Sequence, residues 1–289
     1  MSHQNVPIGK EALSPASRSG GRTLENKCAV VFGAGDSIGA AVVREFAAEG
    51  ARVFLAGRRK ANLEAVAEQI AAAGGKAETT VVDALDDAGV NRYLDGVAKQ
   101  AGKIDIVLDL TGPLASEYGN GKVAVELPVD EFMTALTTIV RSHFITARAA
   151  ARHMINQKSG VIIFVTGSPA RPHVPGATAI GAAFGAIENL TGNLAFEVSP
   201  LGVRVVCLRT VANVDSRPIQ ETMEFVASRM NITKEQAIGQ VALSNFLKVP
   251  ATVQDTANAA VLIASDRARM MTGTVVNASA GAEIGRAHV

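Results

Sequence analysis

The chain has 289 residues and a formal net charge of +1, with 48% hydrophobic and 19% charged residues. That balance argues for a large buried core rather than disorder. It supplies no global field to collect nucleic acid or a charged membrane surface, so neither is expected as a partner.

Residues 1–25 show no hydrophobic period and contain Ser19-Gly20-Gly21-Arg22. They read as a mobile extension, or as an arm that packs on a neighbouring subunit. Lacking an apolar block, they do not read as a secretory signal. No apolar run approaches the roughly 20 residues that cross a bilayer, and a cytoplasmic protein is the expectation. Cys28 and Cys207 lie inside apolar runs, where a thiol behaves as a small buried hydrophobe in a reducing compartment.

From residue 26 to 289 short apolar runs alternate with helical patterns, the sign of βαβ units. Strands are expected at Cys28–Phe32, Arg52–Ala56, Glu78–Val82, Ile104–Asp109, Gly160–Val165, Val203–Leu208 and Thr274–Val276. Most are apolar on both faces, as parallel strands covered by helices on either side must be. The fold class is therefore α/β: one domain with a Rossmann-type, doubly wound, seven-stranded parallel sheet. Ile38, Val42 and Phe46 set the face of a first helix, which ends at Gly50. Leu63, Val66 and Ile70 set a second, which ends at Gly74-Gly75. A longer helix begins near Asp130, with Asp130 and Glu131 as a capped, acidic first turn, and runs through Phe144 towards Met154. Another spans Thr178 to Glu197. The stretch from about 211 to 248 breaks the rhythm with polar residues and two short helices, and reads as a lid over a ligand.

The first strand leads into Gly33-Ala34-Gly35-Asp36-Ser37-Ile38-Gly39 and then directly into a helix. Glycine there permits a tight turn and close approach to a pyrophosphate, and the helix start offers unpaired N–H groups to that anion. At the end of the second strand an acidic side chain would bind the adenosine ribose and repel a 2′-phosphate. This chain has Gly57 there, followed by Arg58 and Arg59. A guanidinium engages phosphate bidentately, which favours NADP(H) over NAD(H); the same two residues also suit the start of a solvated helix. Asp83, followed by Ala84 after the third strand, either accepts a hydrogen bond from an adenine amino group or caps the next turn.

The stretch from about Leu24 to Gly285 resembles the short-chain dehydrogenase/reductase family. The resemblance rests on the Gly33 to Gly39 turn, Asp83, Gly112 after the fourth strand and Ala195-Phe196-Glu197. Near the C-terminus, Leu262-Ile263-Ala264-Ser265-Asp266 and Thr272-Gly273-Thr274-Val275-Val276 add to it. It implies an oxidoreductase with a nicotinamide cofactor, bound in part by Thr111 and Gly112, and a homodimer or homotetramer. Several positions depart. Phe32 stands at the family's Thr, Ser37 at a second glycine, Asp109-Leu110-Thr111-Gly112 at Asn-Asn-Ala-Gly, and Thr210-Val211 at Pro-Gly.

The family's catalytic Asn, Ser, Tyr and Lys align with Ile139, Gly167, Ile180 and Phe184. The only tyrosines are Tyr93 and Tyr118, and no Lys occurs between Lys158 and Lys234. In the family the Tyr phenol supplies a proton, the ammonium lowers its pKa, and the hydroxyls steady the oxyanion. Neither Ile180 nor Phe184 can do this. Candidate substitutes are Thr166 or Ser168 beside Gly167, Arg171 and His173 in the following loop, and Tyr118 reaching over the cleft. His143 is expected at a subunit interface. Three functions remain open: an atypical oxidoreductase on an unidentified small molecule, a non-catalytic nucleotide-binding regulator or silent partner subunit, and an apolar cleft that has lost its cofactor. Nothing in the chain suggests a metal site.

Overall fold

The Cys-Ala-Val-Val-Phe run is buried at all five positions as β1 (Cys28–Phe32), the outcome demanded of a strand covered on both faces. In the computed structural model, which describes residues 21–170, 175–243 and 245–282, it pairs with β2 (Arg52–Gly57) on one side and β4 (Ile106–Asp109) on the other. With β3 (Lys76–Val81), β5 (Gly160–Gly167), β6 (Val203–Thr210) and β7 (Thr274–Ala278), it forms a parallel sheet in the order β3-β2-β1-β4-β5-β6-β7. The winding direction reverses between β1 and β4. At such a switch point the loops after the two strands diverge and leave a crevice for a ligand.

Helices cover both faces. One face buries α1 (Ser37–Ala48), α2 (Lys60–Ala72) and α9 (Val253–Ala264) around Phe46, Leu55, Leu63 and Ile263. The other buries α3 (Asp87–Ala101), α5 (Arg141–Gln157) and α6 (Thr178–Val198) around Phe32, Leu94, Met154 and Phe164. The second layer includes α4 (Val129–Ala135), which continues into α5 through a π turn, Leu136–Val140. A π turn widens a helix locally, and this one carries Ile139.

The differences from the sequence reading have local causes. β4 starts at Ile106 rather than Ile104 because the Asp105 carboxylate, not a main-chain carbonyl, takes the Cys28 N–H at 2.7 Å. β3 is an edge strand, half exposed along its length, and begins two residues before the expected Glu78. The long helix is not capped by Asp130: Pro128 holds the cap position without a side-chain bond, while Asp130 and Glu131 lie in the first turn. α3 and α9 had no assigned place in the sequence reading. α3 alternates Val90, Leu94 and Val97 with charged residues.

Residues 211–248 fold into α7 (Arg217–Met230) and α8 (Lys234–Leu243) around their own small cluster of Met223, Ala227 and Ala237. Asn213, 3% exposed, ties the segment to the domain by accepting a bond from Thr256 Oγ1 at 2.9 Å. Residues 1–20, most of the expected N-terminal extension, lie outside the described residues, as do Arg171 and His173. Among the described residues no helix is long and apolar enough to cross a membrane, and no group of ligands could hold a metal ion.

Candidate nucleotide site and catalytic place

The turn after β1 is shaped by two glycines. Gly33 has φ +76°, and a Cβ there would meet the Leu110 main chain at 3.0 Å. At Gly39 a Cβ would sit 2.2 Å from the Gly33 carbonyl oxygen, so only glycine lets α1 close against the turn. Gly35 has less need, its Cβ position lying 3.1 Å from Asn62 Cβ. Ser37, at the family's second glycine, adopts φ +29°, a conformation an L side chain takes reluctantly. Asp36 holds the cap position of α1, but its side chain makes no capping bond to the helix. Its carboxylate turns instead to charged neighbours.

Those neighbours are two arginines from different elements. Arg59 Nη2 lies 2.9 Å from Asp36 Oδ2, and Arg217 Nη2, at the start of α7, lies 3.0 Å from the same oxygen. The Arg217 N–H also donates to Ser37 Oγ at 3.0 Å. Arg59 caps α2, so the pair does start a helix, and its side chain reaches back across the phosphate turn. Arg58 beside it is exposed. Gly57, with nothing nearer to its Cβ position than Leu63 at 3.4 Å, leaves the end of β2 without a carboxylate.

Asp83 is exposed, and its Oδ1 accepts the Leu85 N–H at 3.0 Å. It therefore caps its turn, next to the buried Ala84. Across the switch point, Asp109 Oδ1 accepts the Thr111 N–H at 2.7 Å and Oδ2 the Thr146 hydroxyl at 2.8 Å. The 1% exposed Asp109 thus sets the course of Thr111 and Gly112. Gly112 faces Ile139, whose Cγ1 is 4.0 Å from its Cβ position.

Of the four positions that the resemblance aligns with the family's catalytic set, Gly167 and Phe184 touch, and none of the four side chains can donate a proton. The Phe184 ring packs on Gly167, its Cε2 only 3.1 Å from the Cβ position there. Ile180 and Phe184 both pack on the cluster that contains the buried Ile139. Of the candidate substitutes among the described residues, the hydroxyls of Thr166 and Ser168 are engaged elsewhere and Tyr118 holds its proton tightly. Thr166, 2% exposed, points into the core towards Glu188 Oε1 and Cys207 Sγ, both 3.3 Å away. Ser168 Oγ donates to the Thr210 carbonyl at 3.3 Å. Tyr118 is partly buried against the core, and that burial, with Glu221 nearby, pushes its phenol up to about 12. A phenol so placed gives up its proton less readily, not more.

His143 corrects another expectation. It does not face a subunit interface. It is 2% exposed, beside Phe164 with ring centroids 5.6 Å apart and with Nδ1 3.7 Å from Asp109 Oδ2. The sequence placed it one turn from Ile139, and in α5 that turn faces the sheet rather than solvent.

Sequence reasoning missed three features. Arg217 is a cation in the first turn of a helix, where the macrodipole disfavours it; Ser216-Arg217-Pro218 is itself a helix-start signal. The Glu188–Arg209 pair, with Nε–Oε1 and Nη2–Oε2 both 2.6 Å, lies beneath the catalytic place. Asn120 Nδ2 donates to Thr222 Oγ1 at 3.0 Å, joining the loop after β4 to α7.

Known proteins share this architecture. The short chain dehydrogenase family matches residues 27–224. An uncharacterized oxidoreductase, YxbG of Bacillus subtilis (strain 168), is 31% identical over 263 residues, covering 89% of this chain and 91% of its own. An NAD+-bound xylitol dehydrogenase superposes with a TM-score of 0.81 at 24% identity, covering 88% of this chain and 98% of that one. An actinorhodin polyketide ketoreductase variant with NADPH superposes with a TM-score of 0.82 at 18% identity, covering 89% and 97%. At those identities the two structures speak for the fold alone. The family match covers most of the chain, and the chain therefore belongs to the short-chain dehydrogenase/reductase family, oxidoreductases that use a nicotinamide cofactor.

Proposed function

We propose that this chain binds NADP(H) in preference to NAD(H) and is an atypical member of its family, without the usual Tyr and Lys proton machinery. The observation that carries the reading is the end of β2. Gly57 removes the carboxylate that would repel a 2′-phosphate, and Arg59 stands 2.9 Å from the phosphate turn's own Asp36 with Arg58 exposed beside it. The adenosine half of the cofactor fits: Gly33 and Gly39 shape the turn, Ser37 and Ile38 present the first helical N–H groups, and Asp83 with Ala84 lines the expected adenine end. The nicotinamide half fits less well. Where the family has a Lys to hold the ribose, this chain has Phe184 against Gly167.

A bound nicotinamide would supply or accept hydride. What the chain's own residues do around it is exclude water and offer apolar surface, through Ile139, Ile180 and Phe184. Removing a general acid costs about 10² to 10⁴ in rate, and an apolar wall does not steady an alkoxide. Ordinary carbonyl reduction is therefore expected to be close to absent. Reduction of an activated double bond on an unidentified small molecule is the catalytic form of the proposal, with residues 211–248 as its lid.

The second reading is a non-catalytic nucleotide-binding regulator or a silent partner subunit in the cytoplasm. It is favoured by the phosphate turn lying beside an apolar catalytic place. Exposed Phe144 at 45% and Phe196 at 87% are available to a homodimer or homotetramer in either case. NADPH consumption against a panel of activated alkenes and carbonyls separates the readings. Turnover with an alkene supports the enzyme. Untouched NADPH with retained nucleotide binding supports the regulator.

A further inference from the structure

Two guanidinium groups from distant parts of the chain share one carboxylate oxygen at the mouth of the phosphate turn. Arg59 belongs to the β2–α2 corner, and Arg217 to the first turn of α7. They approach Asp36 Oδ2 at 2.9 and 3.0 Å. Asp36 alone cannot neutralise both guanidinium groups. A second bond fixes the same junction: the Arg217 N–H donates to Ser37 Oγ at 3.0 Å, and Ser37 Oγ donates to Asp36 Oδ1 at 3.1 Å. Among the described residues Arg217 has a second anchor, Glu221 one turn on, with Nε 3.7 Å from Oε1.

We propose that Asp36 is a latch, and that Arg217 is a second phosphate-reading arginine delivered by the segment 211–248. The carboxylate stands where a phosphate oxygen would stand for both arginines. A dinucleotide phosphate, with more charge and more acceptor oxygens than one carboxylate, competes for them. Arg59 then turns to the adenosine 2′-phosphate, and Arg217 to the pyrophosphate over α1. The segment that carries Arg217 is thereby coupled to whatever occupies the turn.

All the ion pairs involved are partly exposed, with side-chain exposures of 53% for Arg59, 41% for Arg217 and 35% for Asp36. Pairs of that kind are weak and exchange readily, which is what a latch requires. A cation at a helix start is also disfavoured by the helix dipole. Arg217 therefore gains from any anion placed before it, whether Asp36 or phosphate.

The inference rests on the reading that this turn takes a dinucleotide, and two measurements keep the two separable. The first is hydrogen exchange of residues 217–222 in the full chain without nucleotide, for the wild type, Asp36→Asn and Arg217→Ala. Both variants should raise exchange there; unchanged exchange in Asp36→Asn overturns the latch. The second is equilibrium titration with NADPH and NADH. Arg217→Ala should weaken both by about tenfold, the loss of one charge-assisted bond. Arg59→Ala should weaken NADPH alone, and Asp36→Asn should tighten NADPH. Unaltered affinity of both nucleotides in Arg217→Ala overturns its phosphate role. Failure of the wild type to bind either nucleotide overturns the dinucleotide reading and that role together, while the exchange comparison still decides the latch.

Discussion

Replacing Glu188 by Leu should strip the domain of a large part of its stability. Glu188 and Arg209 form a two-pronged pair, both bonds 2.6 Å, with side-chain exposures of 5% and 10%. Arg209 is on β6 in register with Thr166 of β5, so its guanidinium lies between sheet and α6 with little water to turn to. Removing one partner of a buried pair costs about 3–5 kcal/mol, because the remaining charge loses its two-pronged counter-ion. For a domain of this size about 2–4 °C accompanies each kcal/mol, so the melting temperature should fall by about 6–20 °C. Replacing both, as Glu188→Leu with Arg209→Met, should recover most of that loss, since apolar residues of similar volume often match a buried pair. Urea unfolding followed by circular dichroism measures all three proteins. A single variant within about 1 kcal/mol of the wild type, or a double variant no better than the single, would refute the reasoning.

Gly39→Ala should abolish nucleotide binding with a clear loss of stability, because its Cβ would meet the Gly33 carbonyl oxygen at 2.2 Å; calorimetry and thermal unfolding report the two effects. Gly167→Ser alone should cost about 1–3 kcal/mol by crowding the Phe184 ring, and Phe184→Lys in the same chain should relieve it, a coupling that a double-mutant cycle reads directly. Rebuilding Ser, Tyr and Lys together at 167, 180 and 184 should raise carbonyl-dependent NADPH oxidation above the wild type in a kinetic assay. Burial pushes the thiols of Cys28 and Cys207 from 9.0 up to about 12. They should resist a thiol reagent at neutral pH until denaturant is added. Because the folded thiols hold their protons more tightly than unfolded ones, their contribution is complete below pH 9 and is lost as pH rises through 9 to about 12, which alkaline melting curves would show.

The sheet was legible because buried parallel strands must be apolar on both faces, and Val161 to Val165 leaves no other reading. β3 was placed less well because an edge strand is free of that demand, and Lys76 and Glu78 hide its start. β4 began late because a side chain, Asp105, replaced a ladder bond, which no periodicity reveals. At the site, Gly33 and Gly39 carried their own signal, since each prevents a clash that any Cβ would cause. Asp36 was read as a residue of the turn, but its bond to Arg217 across 181 positions of sequence is a tertiary fact. The same holds for His143, whose spacing from Ile139 was right while its inward direction depended on how α5 lies on the sheet. Thr166 shows the limit most plainly: a hydroxyl beside the catalytic place in sequence, spent in the core on Glu188 and Cys207.

The most direct test of the central claim is a calorimetric titration of the purified, nucleotide-stripped chain with NADPH and with NADH. Arg58 and Arg59, with Gly57 in place of a carboxylate at the end of β2, predict that NADPH binds at least about tenfold more tightly, the worth of one charge-assisted bond. Equal affinities, a preference for NADH, or no binding of either would contradict the account.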